Sequence, residues 1–208
     1  MVDGLAYTLW RPETKPWGGL VVIHGAGSRK ENHQDFARAA CDAGMAVVAL
    51  DLRGHGESQG ALDDRVLDDI AAVAELVPGP RALRGSSMGG YLAITAAEPV
   101  GADAVVAICP ASAEALLHGL RDDHFEFEAD RPSLEAFLEA HPLDPPDIPL
   151  LLLHAEGDER VPVEHSRELA RRAPQPKLVI VPGGHHRSVQ HDAELQGLAL
   201  RWLRRALV

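Results

Sequence analysis

The sequence predicts an α/β fold: a three-layer α/β/α sandwich around a mostly parallel central sheet. Two patterns carry that expectation, and the placement of the reactive residues supports it. Six short apolar runs recur along the chain: Leu20–Ile23, Ala46–Leu50, Arg81–Leu83, Ala104–Ile108, Leu150–Leu153 and Leu178–Val181. Runs this short and this continuously apolar suit strands buried on both faces, as in a parallel sheet. Between them lie stretches with helical spacing: Gln34–Ala43, Val66–Val77, Met88–Ala97, Val163–Ala173 and Asp192–Leu207. Strands separated by helices imply right-handed crossovers and helices on both sides of one sheet.

The individual elements follow from local chemistry. Glu98-Pro99 is expected to close the third helix, because the residue before proline is pushed out of helical conformation. Leu5–Trp10 reads as an extra antiparallel strand at the start. One segment breaks the rhythm: Ala111–Pro149 holds no good strand, only two helical patches, Ala113–Gly119 and Ser133–Ala140. An acidic run with Phe125 and Phe127 separates the patches. Long insertions of this kind are usually functional loops or lids. The expected organisation is one domain over residues 1–208, with 111–149 as a short lid.

Composition narrows the partners. The chain carries 31 Asp plus Glu against 20 Lys plus Arg, a formal net charge of -11. A polyanion needs a basic footprint, so neither nucleic acid nor an anionic membrane surface is an expected partner. No apolar run approaches the roughly 20 residues that span a bilayer, and no basic region followed by an apolar stretch opens the chain. The two cysteines, Cys41 and Cys109, lie far apart in apolar settings, which excludes a disulfide scaffold and points to a cytoplasmic location.

The chemistry concentrates after the strands. Gly85-x-Ser87-x-Gly89 follows a strand and opens a helix, the nucleophile-elbow pattern. A strand turning sharply into a helix strains the middle residue and leaves no room for side chains two positions away. Serine needs a base and an orienting acid. Asp158 sits just past the fifth run, and His185 and His186 just past the sixth. All therefore fall at the carboxyl ends of strands, where open α/β sheets bind ligands. The order Ser, Asp, His is the order of this architecture. Backbone N–H groups of Ala26, in His24-Gly25-Ala26-Gly27, and of Met88 are the candidate oxyanion donors.

Other readings of these residues are weaker. Ser87 as a simple helix cap leaves the remaining motifs unexplained. A metal site at His185, His186 and His191 lacks a second ligand cluster, so no metal is expected. Gly25-x-Gly27 fails as a dinucleotide fingerprint because Lys30 stands at the third glycine, and no phosphate-binding Gly-Lys-Ser/Thr exists. His24 and His55 read as structural, while His33 and four other motif-free histidines read as solvated. The Asp63-Asp64 and Asp68-Asp69 pairs read as a solvated helix start, Cys109 as core and Tyr91 as packing under the elbow. Arg29, Lys30 and Arg84 read either as ion-pair partners of the many acids or as a cationic rim for an anionic substrate.

Together these motifs resemble the α/β-hydrolase superfamily over nearly the whole chain from Leu20. The resemblance rests on His24-Gly25, the Asp51–Ser58 run, the Gly85–Gly90 elbow, Gly157-Asp158 with Val161-Pro162, and Gly183-Gly184 before the histidines. It implies Ser87 as nucleophile, Asp158 as acid and His186 as base, four residues after Pro182, with His185 the alternative. The stretch after His186 also resembles small cytoplasmic relatives of dienelactone hydrolases. Many of those use cysteine where this chain has Ser87, which argues against dienelactone activity itself. The implied activity is cofactor-free hydrolysis of a small carboxylic ester or thioester. A peptidase or acyltransferase on the same triad is the alternative, and a non-catalytic ligand-binding protein is a third.

Overall fold

The computed structural model describes residues 1–208 and contains one seven-stranded sheet. Its strands are β1 (Tyr7–Trp10), β2 (Gly19–Ile23), β3 (Ala46–Leu50), β4 (Arg81–Ser86), β5 (Ala104–Ile108), β6 (Leu150–Ala155) and β7 (Pro176–Val181). They lie in the order β1-β3-β2-β4-β5-β6-β7, with β1 antiparallel and every other pair parallel. The helices are α1 (Gln34–Asp42), α2 (Val66–Ala74), α3 (Met88–Thr95), α4 (Ala97–Val100), α5 (Ala113–Arg121), α6 (Arg131–Ala140), α7 (Val163–Arg172), α8 (Ser188–His191) and α9 (Ala193–Leu207). A 3-10 turn over Lys30–His33 leads into α1.

Alternation along the strands builds two cores. Val21, Ile23, Val48, Leu50, Leu83, Val105, Leu150 and Leu152 pack with residues of α2 to α7 on one side of the sheet. Leu20, Val22, Val47, Ala49, Ala82, Val106, Leu151 and Leu153 pack with Phe36, Ala37, Ala40, Ala199 and Leu203 of α1 and α9 on the other. Successive strand side chains point to opposite faces, so a strand covered on both sides must be apolar throughout. That is why these runs lack the polar alternation of a half-exposed sheet.

Three local expectations are corrected. The third helix does not run on to Pro99: α3 ends at Thr95, and Pro99 lies inside the separate short helix α4. Proline is tolerated there because the first turn of a helix has no intrahelical acceptor for its missing N–H. The run Arg81–Leu83 continues to Ser86 as β4, two residues of the extension being Arg84 and Gly85, whose types obscure a strand pattern. Asp69 is not solvated: it is buried, and Arg53 donates to its carboxylate through Nε at 2.8 Å and Nη2 at 2.9 Å.

The 111–149 insertion folds as α5 and α6 against the same side of the sheet as α3. Ser112 and Asp130 cap the two helices with their side-chain oxygens. Leu62 N–H donates to Glu128 O at 2.9 Å and Asp130 N–H to Leu62 O at 2.9 Å, which anchors the insertion on the loop after β3.

Candidate active site

The β4–α3 turn places Ser87 at φ 55°, ψ -120°, a conformation that non-glycine residues rarely adopt. A Cβ on Gly85 would run into Gly89 O, and one on Gly89 into the carbonyl oxygens of Ile23 and His24. The elbow therefore closes only with hydrogen at both positions. Ser87 N–H donates to Ile108 O at 2.9 Å, and Ala111 N–H donates to Ser87 O at 3.2 Å, so the exit of β5 holds the turn.

The loop after β2 lies directly on this turn. The Cβ position of Gly25 stands 3.3 Å from Ser87 Cβ. His24 fixes the loop: its Nδ1–H donates to Gly25 O at 2.8 Å, and its Nε2 accepts from Leu52 N–H at 3.0 Å. Burial, with a smaller contribution from neighbouring His55, pushes the His24 pKa down to about 4, so the ring is neutral and its tautomer is set. Met88 is the first residue of α3, where helical geometry leaves the backbone N–H without an intrahelical acceptor. Of the two expected oxyanion donors, Met88 follows Ser87 directly, and Ala26 follows Gly25, the residue that lies against Ser87 Cβ.

Lys30 and Asp51 brace the same loop from behind. Asp51 accepts Lys30 N–H at 2.8 Å, Lys30 Nζ at 2.7 Å and Glu57 N–H at 2.9 Å. Burial works against the charge of Lys30, but its bonds to Asp51, Glu57 and Glu31 outweigh that and raise its pKa.

Asp158 and His186 meet after β6 and β7. Asp158 Oδ1 accepts the N–H groups of Arg160 and Val161, both at 2.9 Å, and its Oδ2 accepts His186 Nδ1–H at 2.8 Å. Burial raises the Asp158 pKa, yet the bonds from Val161, His186 and Arg160 outweigh it and hold the carboxyl below its ordinary value. His186 N–H also donates to Glu159 Oε2 at 3.0 Å. His185 is exposed and its ring makes no hydrogen bond, so of the two histidines His186 is the one facing Asp158. No hydrogen bond joins Ser87 Oγ to His186 here; such contacts commonly tighten only when substrate is bound.

Two residues that the motifs did not single out complete this corner. His154, buried on β6, accepts Ser166 Oγ–H at Nδ1 (2.7 Å) and donates from Nε2 to Val161 O (3.0 Å), with Asp158 Oδ2 at 3.5 Å. Burial lowers its pKa, which keeps it neutral behind the carboxylate. Cys109 is core, as expected, but its Sγ also lies within 4.8 Å of the ligand-type atoms of Asp158 and His186, and burial pushes its thiol pKa up. The position of His154 four residues before Asp158 was a sequence signal; nothing marked Cys109.

Of the two readings of Arg29, Lys30 and Arg84, ion pairing with the protein's acids holds for Arg29 and Lys30, and neither reading holds for Arg84. Only Arg29 is exposed, beside Glu31 at 3.7 Å. Lys30 is buried in its carboxylate cage, and Arg84 is 1% exposed, with its guanidinium 3.9 Å over the Phe36 ring and no carboxylate within ion-pair reach. His33, expected to be solvated, is buried beside Arg84. Both Arg84 and His33 lie on the side of the sheet away from the insertion, where β4 alternation aims position 84.

An apolar cavity of about 20 Å³, partly open to the surface, adjoins the elbow. It is lined by Met88, Tyr91 and Leu92 of α3, Leu62 and Val66, and residues of the insertion including Leu116, Phe125 and Phe137. Tyr91 lies beneath the elbow, donating its hydroxyl to His141 O at 2.7 Å.

Comparison with known proteins agrees with this architecture. The model of the Hydrolase_4 family, described as "Serine aminopeptidase, S33", matches residues 14–122, just over half of the 208. The monoacylglycerol lipase of Mycolicibacterium smegmatis is 36% identical over 97 residues, which cover 41% of this chain and 34% of that protein. The human monoglyceride lipase is 36% identical over 103 residues, 44% of this chain and 34% of that protein. The matched stretch thus spans about a third of the length of these relatives. Est1E of Butyrivibrio proteoclasticus with ferulic acid bound superposes with a TM-score of 0.80 at 22% identity, covering 100% of this chain and 97% of that one. No helix is long and apolar enough to cross a membrane. With the sheet order, the elbow and the family match in agreement, this chain is a member of the Hydrolase_4 family of α/β-hydrolase enzymes.

Proposed function

We propose that the protein is a serine hydrolase that cleaves small carboxylic esters or thioesters with a short acyl chain. The observation that carries the reading is the Asp158–His186 hydrogen bond of 2.8 Å at the same sheet edge as the strained Ser87. Ser87 Oγ attacks the acyl carbonyl carbon as its proton passes to His186 Nε2. Asp158 holds the ring with Nδ1 protonated and stabilises the imidazolium. The N–H groups of Ala26 and Met88 receive the developing oxyanion. Collapse expels the alcohol or thiol, which takes the proton from Nε2. Water then attacks the acyl-enzyme by the same proton path in reverse.

The apolar lining of the cavity beside Met88 supports an acyl side chain, and its volume of about 20 Å³ favours a short one. The insertion closes over that cavity and acts as its lid. Kinetics on p-nitrophenyl acetate, butyrate, octanoate and palmitate test this. The expected optimum is at acetate or butyrate, and each methylene that fits adds about 0.8 kcal/mol. An optimum at palmitate would overturn the chain-length assignment. Loss of fluorophosphonate labelling in Ser87→Ala is expected; labelling that persists there would overturn the nucleophile.

A peptidase on the same residues is the second reading, because the family description names an aminopeptidase. The twelve residues lining the cavity include no carboxylate to hold a substrate ammonium group, which favours the ester. Faster turnover of short peptides than of p-nitrophenyl butyrate would reverse the order.

A further inference from the structure

Arg84 is the least expected side chain in the fold. It occupies a sheet position that is apolar in the strands around it: its parallel neighbours are Val22 and Val106. Burying a guanidinium costs several kcal/mol unless its surroundings compensate, and the carboxylate that would do so is missing. Burial accordingly pulls its pKa down to about 10. Its partners are the Phe36 ring, His33 Nδ1 at 3.5 Å and the carbonyl oxygen of Gln190 at 3.3 Å. Arg84 Nε and His33 Nε2 have no partner.

Gln190 connects this oddity to the site. It belongs to α8, the short helix that begins two residues after His186. Ser86, on the same face of β4 as Arg84 and adjacent to Ser87, donates its hydroxyl to Gln190 Oε1 at 2.6 Å. Gln196 Nε2 donates at 3.2 Å to the Gln190 backbone carbonyl that also accepts from Arg84, and to Asp35 Oδ2 at 2.7 Å. Gln190 Nε2 donates to His191 Nε2 at 2.9 Å, and His191 Nδ1–H donates to Asp35 at 2.9 Å. The C-terminal end of the base loop is thereby fastened both to the strand that carries the nucleophile and to the first turn of α1.

We propose that Arg84, Ser86 and Gln190 are positioning residues: a clasp that holds the His186 loop in register with the Ser87 elbow. The proposal rests on the reading of Ser87 and His186 as nucleophile and base. The physical need is evident in the loop itself. Residues 182–185 and Arg187 are exposed and Gly183 and Gly184 both have positive φ; the other ties of this backbone run to Gly157 (from its N–H to Gly183 O, 3.1 Å), to Glu159 (from His186 N–H, 3.0 Å) and within the loop between His185 and Ser188, none of them to the strand that carries Ser87. His186 is tied to the Asp158 loop through its ring and its N–H, and the clasp supplies an independent anchor from the nucleophile's own strand.

The test uses Ser86→Ala, Gln190→Leu, their double variant, Gln190→Glu and Arg84→Met, with p-nitrophenyl butyrate turnover and the rate of fluorophosphonate labelling as readouts. Ser86→Ala and Gln190→Leu are each expected to lower kcat and labelling rate about ten- to a hundredfold, with little change in KM, as misplacement of a catalytic group does. The double variant should be no worse than the worse single, since both remove one bond. Gln190→Glu keeps an acceptor oxygen and should recover most of the loss. Arg84→Met should lower kcat while the unfolding midpoint holds or rises, because a buried cation is exchanged for apolar volume. Ser86→Ala removes only one oxygen and serves if Gln190→Leu does not fold. Unchanged kcat in both single variants, or losses that multiply in the double, would overturn the clasp. If Ser87→Ala also remains active, the hydrolase reading fails with it; if Ser87→Ala is inactive, only the clasp fails.

Discussion

Mild acid should destabilise this protein through its buried histidines before its carboxylates begin to titrate. His24, His33, His55 and His154 are all buried, and burial is the leading cause that lowers the pKa of each. Each is a base whose folded pKa lies below its unfolded one. Below about pH 6.5 the unfolded chain takes up protons that the folded chain refuses, so stability is full above that pH and falls as pH falls. For His24, with a folded pKa of about 4, the loss is about 2 kcal/mol at pH 5 and approaches about 3 kcal/mol near pH 4. That is a large share of the roughly 5–15 kcal/mol that holds a domain together, and the other three add in the same direction. The depressed carboxylates, Asp51 and Asp158 among them, lose their contribution only below about pH 4. Urea unfolding followed by circular dichroism at pH 7.5, 6.5, 5.0 and 4.0 measures the effect. The midpoint should drop steeply between pH 6.5 and 5. A midpoint that stays flat across that interval, and falls only below pH 4.5, would refute the assignment of these rings as neutral and buried.

Other perturbations follow from the same geometry. Asp158→Asn should lower kcat by about 10⁴ at unchanged fold, because an amide no longer holds His186 in the required tautomer; stopped assays on p-nitrophenyl butyrate with a far-ultraviolet spectrum as control check it. Gly89→Ala should give little soluble protein, since its methyl meets the carbonyl oxygens of Ile23 and His24; soluble yield and thermal unfolding report on this. Lys30→Met leaves the buried Asp51 carboxylate without its cation and should destabilise by about 3–5 kcal/mol, read from the urea midpoint.

The layer order and the identity of the elbow were legible in the sequence because both rest on local chemistry. A strand covered on both faces must be apolar at every position, so Leu20–Ile23 and Ala104–Ile108 declare themselves. A turn that excludes Cβ atoms must use glycine at 85 and 89, and it exposes whatever stands between them. The same local reasoning located Asp158 and the His185-His186 pair, but it could not separate the two histidines by physics. That separation depends on where β7 delivers its loop against the Asp158 carboxylate, 28 positions away in the chain.

The charged residues mark the boundary between the two kinds of knowledge. Type and spacing alone put His33 and Asp69 in solvent, and Arg84 and Lys30 in ion pairs or a cationic rim, because a charge is cheapest in water or beside its opposite. Only the tertiary structure brings Asp51 to Lys30, Arg53 to Asp69, and Phe36 and Gln190 to Arg84. Compensation of a buried charge is a property of partners distant in sequence, and partners are chosen by how the sheet and its helices pack. The sequence by itself determined the strands, the elbow and the set of candidate reactive groups. The packed structure decided which histidine meets the acid, what lines the cavity and which polar groups are buried.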